Sequence, residues 1–137
     1  MIKAHIVSFL LGGLAVSGAT IMLNAQSSTQ VYELRTYTAP AGKLDALEAR
    51  FRDRTETLFK RHDIKVVGYW VPTDNKNNEV ICIAEHKSQE DAAKNWAAFQ
   101  ADDEWKKIRA ETEVGGSLTV KHPDSVYMRP LDFSKLR

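Results

Sequence analysis

Two neighbouring segments constrain this chain most. Val66–Val71 and Val80–Ala84 are apolar at nearly every position, with Gly68 the one gap. Short runs rich in β-branched and aromatic side chains read as strands. A strand with one face in water should alternate apolar and polar residues. These two do not, so both faces are expected to be covered. Burying each such side chain contributes roughly 1.5 to 3 kcal/mol, so leaving one face wet would be costly.

The surrounding pattern supplies one cover only. Val31–Tyr37 alternates as a strand and is broken by Pro40 and Gly42. Lys43–His62 reads as a helix, with Leu44, Leu47, Phe51, Leu58 and Phe59 on one stripe. Glu48, Arg50, Arg52, Asp53 and Arg54 fall mostly off that stripe and are expected in solvent. Lys65–Val71 is a second strand ended by Pro72, Asp74–Asn78 a polar turn, and Glu79–His86 a third strand. Ser88 with Asp91 resembles a helix N-cap ahead of Ala92, Ala93, Trp96 and Phe99. Asp102 or Asp103 restarts a short helix carrying Trp105 and Ile108, which Gly115 and Gly116 end. Ser117–Arg129 is a last extended segment, interrupted at Pro123. The order is that of an α+β, ferredoxin-like βαββαβ unit: a four-stranded antiparallel sheet with both helices on one face. No further segment remains for the other face, and a second copy packed sheet to sheet is the simplest cover.

The chain has 137 residues, which suits one domain, and its 43% apolar and 27% charged content is that of a soluble globular protein. Lys3 is the one charged residue before position 30. Ile6–Val16 is apolar, and small residues follow at Ser17–Ala19 and around Ala25. That layout matches a secretory signal peptide over residues 1–25, cleaved after Ala25 or, second, after Ala19. An uncleaved anchor is the alternative, since Ile6–Leu23 is just long enough to span a bilayer. The expected location is periplasmic or secreted, or N-terminally membrane-anchored. A flexible lead over residues 26–30, a domain over 31–129 and a tail over 130–137 complete the division. Without Lys3, 18 basic residues face 18 acidic ones. So even a balance, interspersed along the chain, argues against nucleic acid and, once the leader is gone, against a membrane surface as partner. Cys82 is the single cysteine, so a disulfide or paired-thiol site within the chain is excluded, and a small core residue is the plain reading.

Tyr32–Tyr37, Gly42–Leu44, Gly68–Trp70, Trp96–Phe99 and Asp103–Trp105 occur in an order that resembles the NIPSNAP domain, from about Val31 to Met128. The resemblance implies membership of the dimeric α/β-barrel superfamily, in which two ferredoxin-like units join around a central cavity. Mitochondrial members are linked to vesicle traffic and autophagy, roles not carried over to a chain with an export leader.

Parity puts Tyr32 and Leu34 on one face of the first strand, and Glu33, Arg35 and Tyr37 on the other. The apolar pair is expected against the helices, leaving Glu33, Arg35 and Tyr37 toward the inter-sheet cavity. Arg35 could hold an anion by two hydrogen bonds, and Tyr37 offers a hydroxyl beside an apolar pocket. The structural reading is that Glu33 and Arg35 pair with each other or across the dimer, as buried charges must. Cys82, Ala84 and His86 share a face of the third strand, with His86 at the rim as a candidate base. Trp70 is counted with the lining residues, although Trp70, Trp96 and Trp105 read first as core or interface aromatics. The expected ligand-binding set is thus Glu33, Arg35, Tyr37, Trp70, Cys82 and His86, with His86 and Tyr37 as catalytic candidates. His62 reads as a helix-end cation. His122 and Asp124 are two metal-capable groups lacking a third, and no metal or cofactor is expected.

Two functions fit. One is a homodimer that binds a small apolar or aromatic molecule without catalysis. The other, by analogy with proteins of the same barrel, is a cofactor-independent oxygenase.

Overall fold

The computed structural model describes residues 30–136. The leader expected over residues 1–25, and most of the lead after it, lie outside the described residues.

Strands β1 (Val31–Thr38), β2 (Lys65–Trp70), β3 (Glu79–His86) and β4 (Asp124–Met128) form one antiparallel sheet in the order β2-β3-β1-β4. Helices α1 (Leu44–Arg50) and α2 (Glu56–Arg61) follow β1, and α3 (Gln89–Ala101) and α4 (Asp103–Thr112) follow β3. This is the expected α+β ferredoxin-like plan. The helices pack on one face of the sheet, around Leu47, Leu58, Phe59, Ile64, Phe99 and Leu118, each almost fully buried.

The caps follow the sequence. Ser88 Oγ accepts the Asp91 amide at 3.0 Å, and Asp102 Oδ1 accepts the Glu104 amide at 2.7 Å, so each helix start has its exposed donors met. Two features depart from the expected pattern. The helix over 43–62 is not uniform, because a π-helical turn, Phe51–Thr55, separates α1 from α2. There the Thr55 hydroxyl donates to the carbonyl of Arg50 at 3.1 Å. Arg50, the last residue of α1 before that turn, was expected in solvent but is 6% exposed. The second departure is a bulge at Val67, where Val66 pairs with Ala84 but Gly68 with Ile83.

The bulge re-aims the end of β2. Val66 and Tyr69 pack on the helix side, while Trp70 pairs with Ile81 on the other face, its ring over Gly68. A Cβ on Gly68 would come 2.8 Å from the Trp70 ring, which is why glycine suits that position. The helix-free face carries Leu34, Trp70, Ile81, Ile83, Val126 and Met128, and Trp70 and Val126 are 48% and 57% exposed. The helix-side core includes none of these residues.

Candidate functional site

Strand register decides which side chains meet. Glu33 lies opposite Ala84, Arg35 opposite Cys82, Tyr37 opposite Val80, and Val31 opposite His86, so all of these share one face. That face is the helix side: Tyr37 packs edge-on against Phe51 at 4.9 Å, and Trp96 of α3 reaches Glu33. The expectation that Glu33, Arg35 and Tyr37 face away from the helices is therefore wrong, and with it their place in an inter-sheet cavity. Parity grouped them correctly but assigned the group to the opposite side. The physical reason is that their polar atoms satisfy one another, so the helix layer can cover them at little cost.

Glu33 is the centre of that arrangement. Its Oε1 accepts from Arg35 Nη1 at 2.7 Å and from Ser125 Oγ at 2.5 Å. Its Oε2 accepts from Trp96 Nε1 at 2.6 Å and from His86 Nε2 at 3.0 Å. Burial alone would raise the Glu33 pKa, but the His86, Ser125 and Trp96 hydrogen bonds and the Arg35 charge outweigh it and hold it at about 2. An ionised carboxylate cannot donate, so His86 Nε2 carries the proton. His86 Nδ1 is buried without a partner, and the His86 side chain has no exposed surface. His86 was expected at a cavity rim; it is walled in behind Glu33.

Arg35 donates through Nε to the Tyr37 hydroxyl at 3.0 Å, and its guanidinium stacks 3.9 Å from the Trp96 ring centroid. Burial pushes the Tyr37 pKa above its ordinary value despite Arg35, so the phenol keeps its proton. Cys82 is fully buried, and burial pushes its thiol up to about 12, which leaves it an inert core group.

In front of Arg35 and Tyr37 lies a cavity of about 380 Å³, between the sheet, the π turn, α3, α4 and the segment before β4. Phe51, Phe99, Trp96 and Trp105 give it aromatic walls, and Arg50, Arg109 and Glu113 a charged side. Of the six expected ligand-binding residues, Arg35 and Tyr37 border it; Glu33, Cys82 and His86 support it from behind. Trp70 is not part of it. It borders a hollow of about 470 Å³ at the β2 edge, with Tyr69, Val71 and Arg52. The first cavity is the better site, because buried polar groups converge on it.

Arg50, Trp105 and Glu113 went unrecognised as site residues in the sequence. Arg50 Nη1 donates to Glu113 Oε1 at 2.8 Å, 63 positions away, and no local pattern could announce that pair. Burial works against ionisation of Glu113, but the Arg50 and Arg109 bonds prevail and lower its pKa. His62 is held by Asp102 at 2.7 Å, and Asp124 by Lys121 at 2.7 Å. Among the described residues, no three His, Cys, Asp or Glu side chains are grouped to hold a metal.

A family model described as NIPSNAP matches residues 32–135. A search of curated proteins finds no match. Among solved structures, a NIPSNAP family protein from Agrobacterium tumefaciens is 27% identical, with TM-score 0.67, covering 79% of this chain and 94% of its own. A NIPSNAP-like domain protein from Burkholderia xenovorans is 19% identical, with TM-score 0.67, covering 78% and 90%. A candidate antibiotic biosynthesis monooxygenase from Bordetella bronchiseptica is 15% identical, with TM-score 0.55 and coverage of 74% and 97%; that likeness extends to the fold alone.

Proposed function

The chain belongs to the NIPSNAP family, and from that premise we propose that it is an exported homodimer whose helix-side cavity binds a small molecule with an apolar or aromatic body. The observation that carries this reading is the cavity itself. Its size of about 380 Å³ falls among small-molecule sites, which run roughly from 300 to 1,000 Å³. Its walls are aromatic, and Arg35 and Tyr37 present fixed polar atoms at its base.

Binding is favoured over an oxygenase by the state of the two candidate bases. His86 is sealed behind Glu33 and does not border the cavity. Tyr37 does border it, but with its pKa raised it serves as a hydrogen-bond donor rather than a base.

Titration calorimetry with 2-naphthol at pH 7 should give saturable binding. Thr119→Phe, placed on the exposed segment that edges the cavity, should weaken it about tenfold or more by filling the space. Undiminished affinity in that variant would move the ligand elsewhere, and no saturable binding would remove the reading.

Export rests on the leader sequence, and the mass of the protein recovered from producing cells tests it. A chain lacking residues 1–25, recovered outside the cytoplasm, is the expected result. Full-length chain in the cytoplasm would overturn it.

A further inference from the structure

The cavity carries more positive charge than its own acids balance. Arg35, Arg50, Arg109 and Lys121 border it against one carboxylate, Glu113. Glu33 matches Arg35 from behind, and Asp124 matches Lys121 at the surface. Arg50 and Arg109 must share Glu113, at 2.8 and 3.2 Å. One guanidinium charge is left over.

Arg50 is the arginine of that pair placed to use it. Its side chain is 5% exposed, against 57% for Arg109. Nη1 is committed to Glu113, with Thr112 Oγ1 at 3.5 Å, while Nε is buried with no acceptor. Buried donors are almost always satisfied, so one left without a partner beside a cavity points to an acceptor that comes from outside. Arg50 ends α1 immediately before the π turn, and Phe51 and Thr55 of that turn border the cavity beside it.

The two buried arginines are also presented alike. Arg35 stacks on Trp96, and Arg50 lies over Trp105 at 5.1 Å from the ring centroid. Stacking on an indole fixes the plane of a guanidinium and leaves its N–H edge for a planar acceptor. Arg35 spends Nε and Nη1 on Tyr37 and Glu33. Its Nη2 makes no bond to the described chain.

Building on the small-molecule reading above, we infer that the cavity takes an aromatic carboxylate, with Arg50 receiving the carboxylate and the aromatic body held among Phe51, Phe99, Trp96 and Trp105. A carboxylate supplies the acceptor that Arg50 Nε lacks. It also supplies the second negative charge that Glu113 cannot give to both arginines.

The test compares 2-naphthoate with 2-naphthol by titration calorimetry at pH 7, since the two share a ring system and differ in charge. The intact protein should bind 2-naphthoate about tenfold or more tightly than 2-naphthol, as a charge-assisted pair predicts. Arg50→Met should erase that preference, so that the two probes bind with affinities within about threefold of one another. Arg50→Lys keeps a cation beside Glu113 if the Met variant fails to fold. It should still lose about threefold or more of the preference, because a lysine cannot offer the planar fork. Equal affinity for the two probes in the intact protein overturns the inference while the small-molecule reading stands. So does a preference undiminished in the Arg50 variants. Binding of neither probe removes both.

Discussion

Replacing Glu33 with alanine is expected to destabilise the fold by about 3–5 kcal/mol, a large share of the roughly 5–15 kcal/mol that holds a domain together. Four donors converge on this one carboxylate: Arg35, Ser125, Trp96 and His86. Its removal leaves the Arg35 charge, with a side chain only 6% exposed, without its counter-charge. The indole of Trp96 loses its acceptor in the same step. Urea melts at pH 7 measure the loss, and a cost below about 1 kcal/mol would mean that water or another group replaces the carboxylate. The same group sets a pH dependence. Glu33 has its pKa depressed from 4.5 to about 2 in the folded protein. Its contribution, on the order of 3 kcal/mol, is therefore full above the unfolded value and is lost as pH falls through the folded one. Stability of the intact protein should drop between about pH 4.5 and 2. Glu33→Gln should lack that part of the slope. A slope identical in the two proteins would assign the acid sensitivity to other groups.

How much of this was legible in the sequence depends on the distance over which each feature is decided. Ser88 and Asp102 cap their helices through bonds two or three residues away, and the sequence announced Ser88 and narrowed the second cap to Asp102 or Asp103. The strand 79–86 was legible as a strand, because a short run that is apolar on both sides is a local property. The facing of β1 was not. Alternation shows that Glu33, Arg35 and Tyr37 share a side, but choosing the side requires their partners, His86, Trp96 and Ser125, which lie 53, 63 and 92 positions from Glu33. One signal could have helped. Tyr37 and Arg35 are bulky, and the small Cys82 and Ala84 opposite and beside them leave space on that same face under the helix layer. The burial of Arg50 was illegible for a similar reason. Arg50 stands three positions after Leu47 in regular helix, at the edge of the apolar stripe, and what covers its guanidinium, Glu113, lies 63 positions away.

A charge placed on the helix-free face should split the protein into monomers. Ile83 lies on the central strand β3, opposite Leu34 of β1 and Gly68 of β2, on the side no helix covers. Around it are Ile81, Trp70 and Val126, an apolar surface that the proposed second copy would bury. In a two-fold interface one substitution is made twice, near the same axis, so Ile83→Asp puts two carboxylates into the contact. Burying each unpaired polar group costs a few kcal/mol, and a combined penalty of about 4 kcal/mol raises the dissociation constant about a thousandfold. Sedimentation velocity between about 1 and 50 μM should then show a dimer for the intact domain and a monomer for Ile83→Asp, since a micromolar constant moves to the millimolar range. The helix-side core does not include Ile83, so the monomer should keep its secondary structure and its cavity. If the intact domain is itself a monomer at 50 μM, this face does not bind a second copy, and the paired-sheet arrangement is wrong. The cavity between sheet and helices would survive that result, because every residue bordering it comes from a single chain.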